Sequence, residues 1–537
     1  MSESADYVIV GAGSAGCVLA NRLSEGGKYR VTLLEAGPPD SNVWIHIPIG
    51  YGKTMFSKKL NWRYHTEPDP NMLGRQIYWP RGKTLGGSSS INGLIYIRGQ
   101  KQDYDHWEAQ GNPGWSWDAC LPYFRKLEDN DLGASETRGT GGPLSTSSIP
   151  VRHELVEAFI DAAGQHGLKR LDDFNTGDQE GVGYYQLTTR RGKRCSTAVA
   201  YLRPAKKRSN LRIITNAHVS RVCFEGTRAT GVKYRQGGQC KTLHANKEVI
   251  LCAGALQSPQ LLQLSGVGAA GHLREFGIPV VNNLPGVGEN LQDHLQLRLI
   301  YEVSKPITNN DQLRSLWGQM KMGLQWMFFR GGPLAIGINQ GAMFCRVLPE
   351  AATPDIQFHL ATLSADLAGG KVHDFSGCTY SVCQLRPESR GYVRLKSPDP
   401  FDAPAMQSNY LSHELDRRTA IAGVRFARQV AATEPLKALM KREHRPGADA
   451  RSDDEILHFC REYGATIFHP SGTAKMGPRS DAMAVVDHEL KVHGVHGLRV
   501  VDASIMPTLV SGNTNAPIIM VAERASEFIL ADASAQH

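Results

Sequence analysis

No run of the chain approaches the roughly 18 consecutive apolar residues that a membrane-spanning helix needs, and its ten cysteines form no C-x-x-C pair. The first absence argues against an integral membrane protein, the second against cysteine metal ligation. The cysteines (17, 120, 195, 223, 240, 252, 345, 378, 383, 460) are dispersed, and several sit in apolar runs such as "EVILCAGAL". They read as buried thiols. The start "MSESADYVIV" has neither the basic segment nor the apolar stretch of a secretory signal. The expectation is a reduced, metal-free, cytoplasmic protein, compatible with peripheral contact at the inner face of a membrane. Charge is also in short supply: a net +8 is modest for 537 residues. The densest basic cluster, "RRGKR" at 190–194, lacks interleaved aromatics and reads as a solvated loop. Nucleic acid is not indicated.

What is present points to a large soluble enzyme. The chain is long enough to bury at least one sizeable core, and its 55 Gly and 28 Pro suit many loops. Residues 6–37 read as β-α-β. The strands "DYVIV" and "RVTLLEAG" are near-continuous apolar runs, as a covered parallel sheet requires. Between them lies G-x-G-x-x-G: Gly11 permits a tight turn, Gly13 lets backbone approach a pyrophosphate, and Gly16 lets helix and strand pack closely. The helix that starts at Ser14 and Ala15 offers free N–H groups and a positive end to phosphates. Glu35, followed by Ala36, ends the next strand 19 residues after Gly16, where a carboxylate can bind a ribose hydroxyl pair. A dinucleotide with an unphosphorylated ribose follows; NAD and FAD both satisfy the motif.

Further along, a helix is expected around 154–166, strands in "LRIITNAHVSRVCFEG" and "ATGVKYRQ", and a strand–turn–helix unit at "KEVILCAGALQSPQLLQLSGVG". From about 300 to 455, alternating strands mingle with helices such as "LDRRTAIAGVRFARQVAA", which suggests an α+β unit on an antiparallel sheet. Strand-then-helix order returns after 455. The expected architecture is α/β plus α+β. A discontinuous Rossmann-like dinucleotide domain (1–155, 195–300 and 455–537) carries an inserted antiparallel-sheet substrate domain (156–194 and 301–454).

The segment "RGKTLGGSSSING", 81–93, is a long loop of small residues that NAD binding does not call for, and its continuation "LIYIRG" reads as the start of a helix. Small residues suit a wall lying flat against a bulky ring. This stretch resembles the first signature of the glucose–methanol–choline (GMC) oxidoreductase family, and "GALQSPQLLQLSGVG", 254–268, resembles the second. "FHPSGTAKMG", "LRVVDASIMP" and "NTNAPIIMVAE" are similar to the family's closing segment. The resemblance implies FAD. It lays the 81–93 loop, through Arg81, Leu85, Gly86, Asn92 and Gly93 and on to Leu94 and Ile95, along the isoalloxazine. Where some members carry a histidine covalently bound to FAD, this chain has Ile91, so a non-covalent flavin is expected. The resemblance also sets Val219 near the adenine and Ala253, Asp502 and Ala503 along the ribityl–pyrophosphate. Trp62 would border the cofactor, and Phe468 would line its pocket.

The same resemblance makes His469 the active-site base and Asn513 its partner. The helix beginning near Asn515 and Ala516 would point its positive end at the flavin. The implied reaction takes a primary or secondary alcohol to an aldehyde or ketone. His469 removes the hydroxyl proton and a hydride passes to flavin N5, with Asn513 bonding the developing alkoxide. Electrons would go to a quinone or other acceptor. An oxidase forming peroxide, or a hydroxynitrile lyase on the same fold, are the alternatives. His294, in "GVGENLQDH", reads as a residue holding a turn. The motifs do not favour an amino alcohol, sugar, aliphatic, aryl or polyether alcohol over the others, and they leave oligomeric state open.

Overall fold

A computed structural model describes residues 3–366 and 369–535. Two sheets organise them. In the first, the strands run in the order Leu211–Ile214, Val31–Leu34, Glu3–Val10, Gln239–Leu251, Arg228–Gln236 and Ala217–Glu225, and Leu498–Val500 also pairs with Gln239–Leu251. The neighbours from Leu211 through Gln239 are parallel, and the last two pairings are antiparallel hairpin contacts. The apolar runs of the parallel strands are buried on both faces, with Val8, Ile9, Leu33, Val249, Ile250 and Leu251 no more than 1% exposed. The helices Ser14–Ser24 and Asn515–Ala535 pack against one another over this sheet. Chain ends far apart in sequence thus build one dinucleotide-type unit.

The second sheet is largely antiparallel. Its order is Met440–Arg445, Leu295–Val303, Gly377–Gln384, Ile356–Ala361, Asn339–Cys345, Gly181–Tyr184 and Arg170–Leu171. The amphipathic helix Glu414–Ala431 closes one face, its buried stripe of Ala420, Gly423, Val424 and Ala427 recurring at helical spacing. The expected helix near 154–166 is present as Glu154–Gln165. After the Gly/Ser loop, however, the chain makes a 3-10 turn, Gly87–Ser90, then a short strand, Ile95–Tyr96, instead of a helix. Four consecutive Gly and Ser residues have little helix propensity, and the β-branched residues that follow favour extended backbone.

Where the two sheets meet, Ala465–Thr466 pairs with Leu295–Val303. This register delivers residues 467–469 to the seam, beside the start of the Asn515–Ala535 helix.

Candidate active site

The first turn shows why its glycines stand where they do. A Cβ on Gly16 would lie 1.9 Å from the Gly11 carbonyl oxygen, so helix and strand could not approach. A Cβ on Gly13 would meet nothing nearer than the Cys252 carbonyl, at 3.9 Å. Helix packing therefore dictates Gly16, whereas Gly13 borders open space. That space is a cleft of about 1110 Å³ along the carboxyl ends of the parallel strands, the general ligand position in such sheets. Glu35 reaches its floor, where its carboxylate accepts from Ala12 N at 2.9 Å and Gly37 N at 2.8 Å. Burial pushes this carboxyl up to about 7, against the pull of the two N–H donors. Asp502 is held more tightly, accepting from Gly254 N, Ser258 Oγ and both the N–H and hydroxyl of Ser504. It pins the second strand–turn–helix unit to the carboxyl-terminal strand.

A second cavity of about 1370 Å³ continues from the first and shares Ser14, Arg81, Ser88, Thr514 and Ile518 with it. Its wall carries a chain of hydrogen bonds. His294 Nε2 lies 3.0 Å from the Leu385 carbonyl oxygen, which can only accept, so Nε2 carries the proton and Nδ1 a lone pair. That lone pair faces His469 Nδ1 at 3.0 Å, so the His469 proton sits on Nδ1. His469 Nε2 is left unprotonated and accepts from Asn513 Nδ2 at 3.3 Å. Gln357 fixes the Asn513 amide by donating to its Oδ1 at 3.2 Å. Burial, with His294, His359 and Arg81 nearby, holds His469 well below the usual imidazole range. His294 is lowered to about 4 by burial.

The backbone that carries His469 is held on three sides. Phe468 has φ 75°, unusual for a side chain of its size. Its N–H donates to Thr466 Oγ1 at 2.7 Å and its carbonyl accepts from Arg81 Nη2 at 2.7 Å. The next N–H, of His469, donates to Asp293 at 2.7 Å.

Comparison with known proteins gives the family. Two GMC oxidoreductase family profiles match the chain, over residues 5–296 and 387–522. A mitochondrial choline dehydrogenase of Mus musculus is 46% identical over 97% of this chain and 89% of its own length. An alcohol dehydrogenase [acceptor] of Pseudomonas putida is 45% identical over 98% and 95%. A formate oxidase of Aspergillus oryzae RIB40, solved as a variant affecting FAD modification, superposes with TM-score 0.93 at 27% identity, covering both chains fully. The chain belongs to the GMC oxidoreductase family.

The residues of this GMC oxidoreductase fit FAD. A glycine-walled cleft meets the positive end of one helix, and a larger cavity at the second helix start leads to a histidine base. Gly11, Gly13, Ser14, Ala15, Glu35 and Ala36 line the cleft together, as do Trp62, Arg81, Val219, Ala253, Asp502 and Ala503. Asn92, Gly93, Leu94, Ile95, Phe468, His469, Asn513 and Asn515 line the cavity. Gly16, Leu85, Gly86 and Ala516 lie behind these walls rather than on them. Trp62 stands at the rim, stacked on Tyr64, with Lys83 Nζ 4.2 Å above its ring.

Four residues escaped the sequence reading. His294 does more than hold a turn, since it sets the His469 tautomer. His359 lines the cavity with neither ring nitrogen bonded among the described residues, and burial lowers it to about 3. Gln357 orients Asn513. Arg194 corrects the reading of "RRGKR" as wholly solvated. It is 1% exposed and its guanidinium donates to the Ser89, Asn92 and Ile45 carbonyls and to Asn92 Oδ1. It thereby clamps the Gly/Ser loop.

Proposed function

We propose that this GMC oxidoreductase oxidises an uncharged primary or secondary alcohol to the aldehyde or ketone, with FAD held non-covalently and electrons passed to a quinone or another acceptor. The observation that carries this reading is the His294–His469–Asn513 chain, which leaves one unprotonated imidazole nitrogen and one amide donor side by side in a cavity. When bound, FAD supplies the two-electron acceptor for the hydrogen leaving the carbinol carbon. His469 Nε2 takes the hydroxyl proton, a task suited to a neutral imidazole. Asn513 Nδ2 donates to the oxygen as its charge develops, and the Asn515–Ala535 helix start adds positive potential there. His294 keeps the proton on Nδ1 so that Nε2 stays available.

The proposed cofactor domain comprises 1–155, 195–300 and 455–537, and the substrate domain 156–194 and 301–454. Gly11, Gly13 and the helix start at Ser14 would hold the pyrophosphate, Glu35 a ribose, Val219 the adenine edge, and the 81–95 segment the flavin ring. Ile91 stands where a histidine would attach FAD, which supports a non-covalent flavin. Among the described residues no helix is long and apolar enough to cross a membrane.

The cavity lining contains Arg81 and Arg298 and, among the described residues, no carboxylate. A quaternary ammonium would enter without a counter-charge, at a large desolvation cost. Choline should therefore be a poor substrate, although relatives are named for it. The decisive experiment mixes the yellow protein anaerobically with a panel of neutral alcohols and with choline, follows the flavin band, then admits a quinone or air. Bleaching by neutral alcohols, fast recovery with quinone and slow recovery in air are expected. Fast recovery in air with peroxide would make it an oxidase. Cyanide release from a cyanohydrin without bleaching would make it a lyase. Preferential bleaching by choline would overturn the substrate class alone.

A further inference from the structure

The helix Leu316–Phe329, "LWGQMKMGLQWMFF", buries one side chain, Met322. Leu316, Trp317, Phe328 and Phe329 are 70–81% exposed, and Leu324 and Met327 exceed 50%. Such a patch on a soluble protein marks a contact surface. Fourteen residues extend about 21 Å, short of the roughly 30 Å of a bilayer core, so this helix can lie on a membrane but not cross it.

Charge selects the occupant. Residues 312–349 contain no Asp or Glu. Lys321 and Arg330 belong to the helix and its end, and Arg330 sits 4.4 Å over the Trp326 ring. The basic loop at 190–194 packs alongside, since Trp326 Nε1 donates to the Gly192 carbonyl at 2.9 Å. Its Arg191 and Lys193 are exposed. Beneath this loop the buried Arg194 bonds the Ile45 carbonyl, and the preceding Val43 and Trp44 are exposed, with Lys53 at 5.9 Å over the Trp44 ring. Cavity-lining Tyr51 and Met55 belong to the same segment, and the Tyr51 hydroxyl accepts from Ile338 N, nine residues beyond the helix. Two copies meeting through this face would set like charges together, whereas an anionic bilayer meets both the apolar and the basic groups.

We propose that the Leu316–Phe329 helix and the 190–194 loop form an interfacial docking surface for an anionic lipid bilayer, next to the substrate cavity. The docking is separable from the acceptor reading, because vesicle binding is read without turnover. The test is flotation of the FAD-loaded protein with phosphatidylcholine vesicles with and without phosphatidylglycerol. One combined variant is Trp317→Ser, Phe328→Ser and Phe329→Ser; the other is Arg191→Gln, Lys193→Gln and Lys321→Gln. The wild type should float with phosphatidylglycerol vesicles and be released by salt. The aromatic variant should lose at least about tenfold in affinity, and the charge variant about fivefold per residue, while both keep FAD and turnover with a soluble dye. Failure of the wild type to float, or equal flotation of the variants, would overturn the proposal. So would a wild-type dimer that the aromatic variant converts to monomer, since a second copy would then cover the helix.

Discussion

With His469 replaced by alanine, the hydroxyl proton has no acceptor beside Asn513. We expect kcat to fall about 10²–10⁴-fold, the range for a lost general base, with the flavin band unchanged. Equal turnover would refute the role. The wild-type base is buried and held well below the usual imidazole value, so it is neutral throughout the range above pH 6.5. The profile of kcat/KM should therefore show no inflection near 6.5; its acid limb should lie lower, where the depressed imidazole finally protonates. An inflection at 6.5 would mean a solvated or charge-paired histidine. His294 acts one residue removed. His294→Phe deletes the lone pair that holds the His469 Nδ1 proton, and should cost about 10–100-fold in kcat, as lost orienting partners do, with KM little changed. His294→Asn returns an acceptor and should recover part of the loss. Equal losses in both variants would assign His294 to packing alone.

At the scale of elements, the glycine turn separates two requirements that a motif cannot. Gly16→Ala places a methyl 1.9 Å from a backbone oxygen, and overpacking of this kind costs about 1–3 kcal/mol. Gly13→Ala meets no protein atom within 3.4 Å, and its φ of −79° suits any residue. The first variant should melt lower than wild type even without flavin. The second should match the wild-type apoprotein and lose FAD affinity, measured by equilibrium dialysis. Flavin retention by Gly13→Ala would remove the pyrophosphate from that turn. The same comparison explains what the sequence carried and what it did not. The β-α-β unit, the helix at Asn515 and the His469–Asn513 pair each announce themselves within a few residues. His294, His359, Gln357 and Arg194 have local contexts of turn, buried strand or basic loop, and the partners of His294, Gln357 and Arg194 lie 91 to 175 residues away. Nothing in a strand reading "IQFHLA" says that its histidine faces a cavity, and "RRGKR" has the composition of a solvated loop while one of its arginines is a buried clamp.

The whole molecule is stitched around the cleft. Its walls come from residues 11, 13–15, 35–36, 81–82, 87–89, 91–95, 219, 253–254, 469, 502–503 and 513–515, so a bound FAD would touch segments from both chain ends and the middle. A ligand that binds the folded state alone stabilises it by about 2.7 kcal/mol at a hundredfold excess over Kd. That stabilisation should be unevenly distributed. The first sheet's turns and the 3-10 loop at Gly87–Ser90 border the cleft, whereas the Glu414–Ala431 helix packs on the second sheet and lines neither cleft nor cavity. Stripping FAD should therefore lower the melting temperature and raise amide exchange at 11–16, 84–95 and 513–519, with little change at 420–431. Uniform exchange would mean that the two sheets open as one cooperative unit and that the seam, not the cofactor, governs stability. Localised exchange would instead make FAD the tie that joins the carboxyl-terminal helix to the amino-terminal turn, and the geometry of His469 and Asn513 would then depend on it.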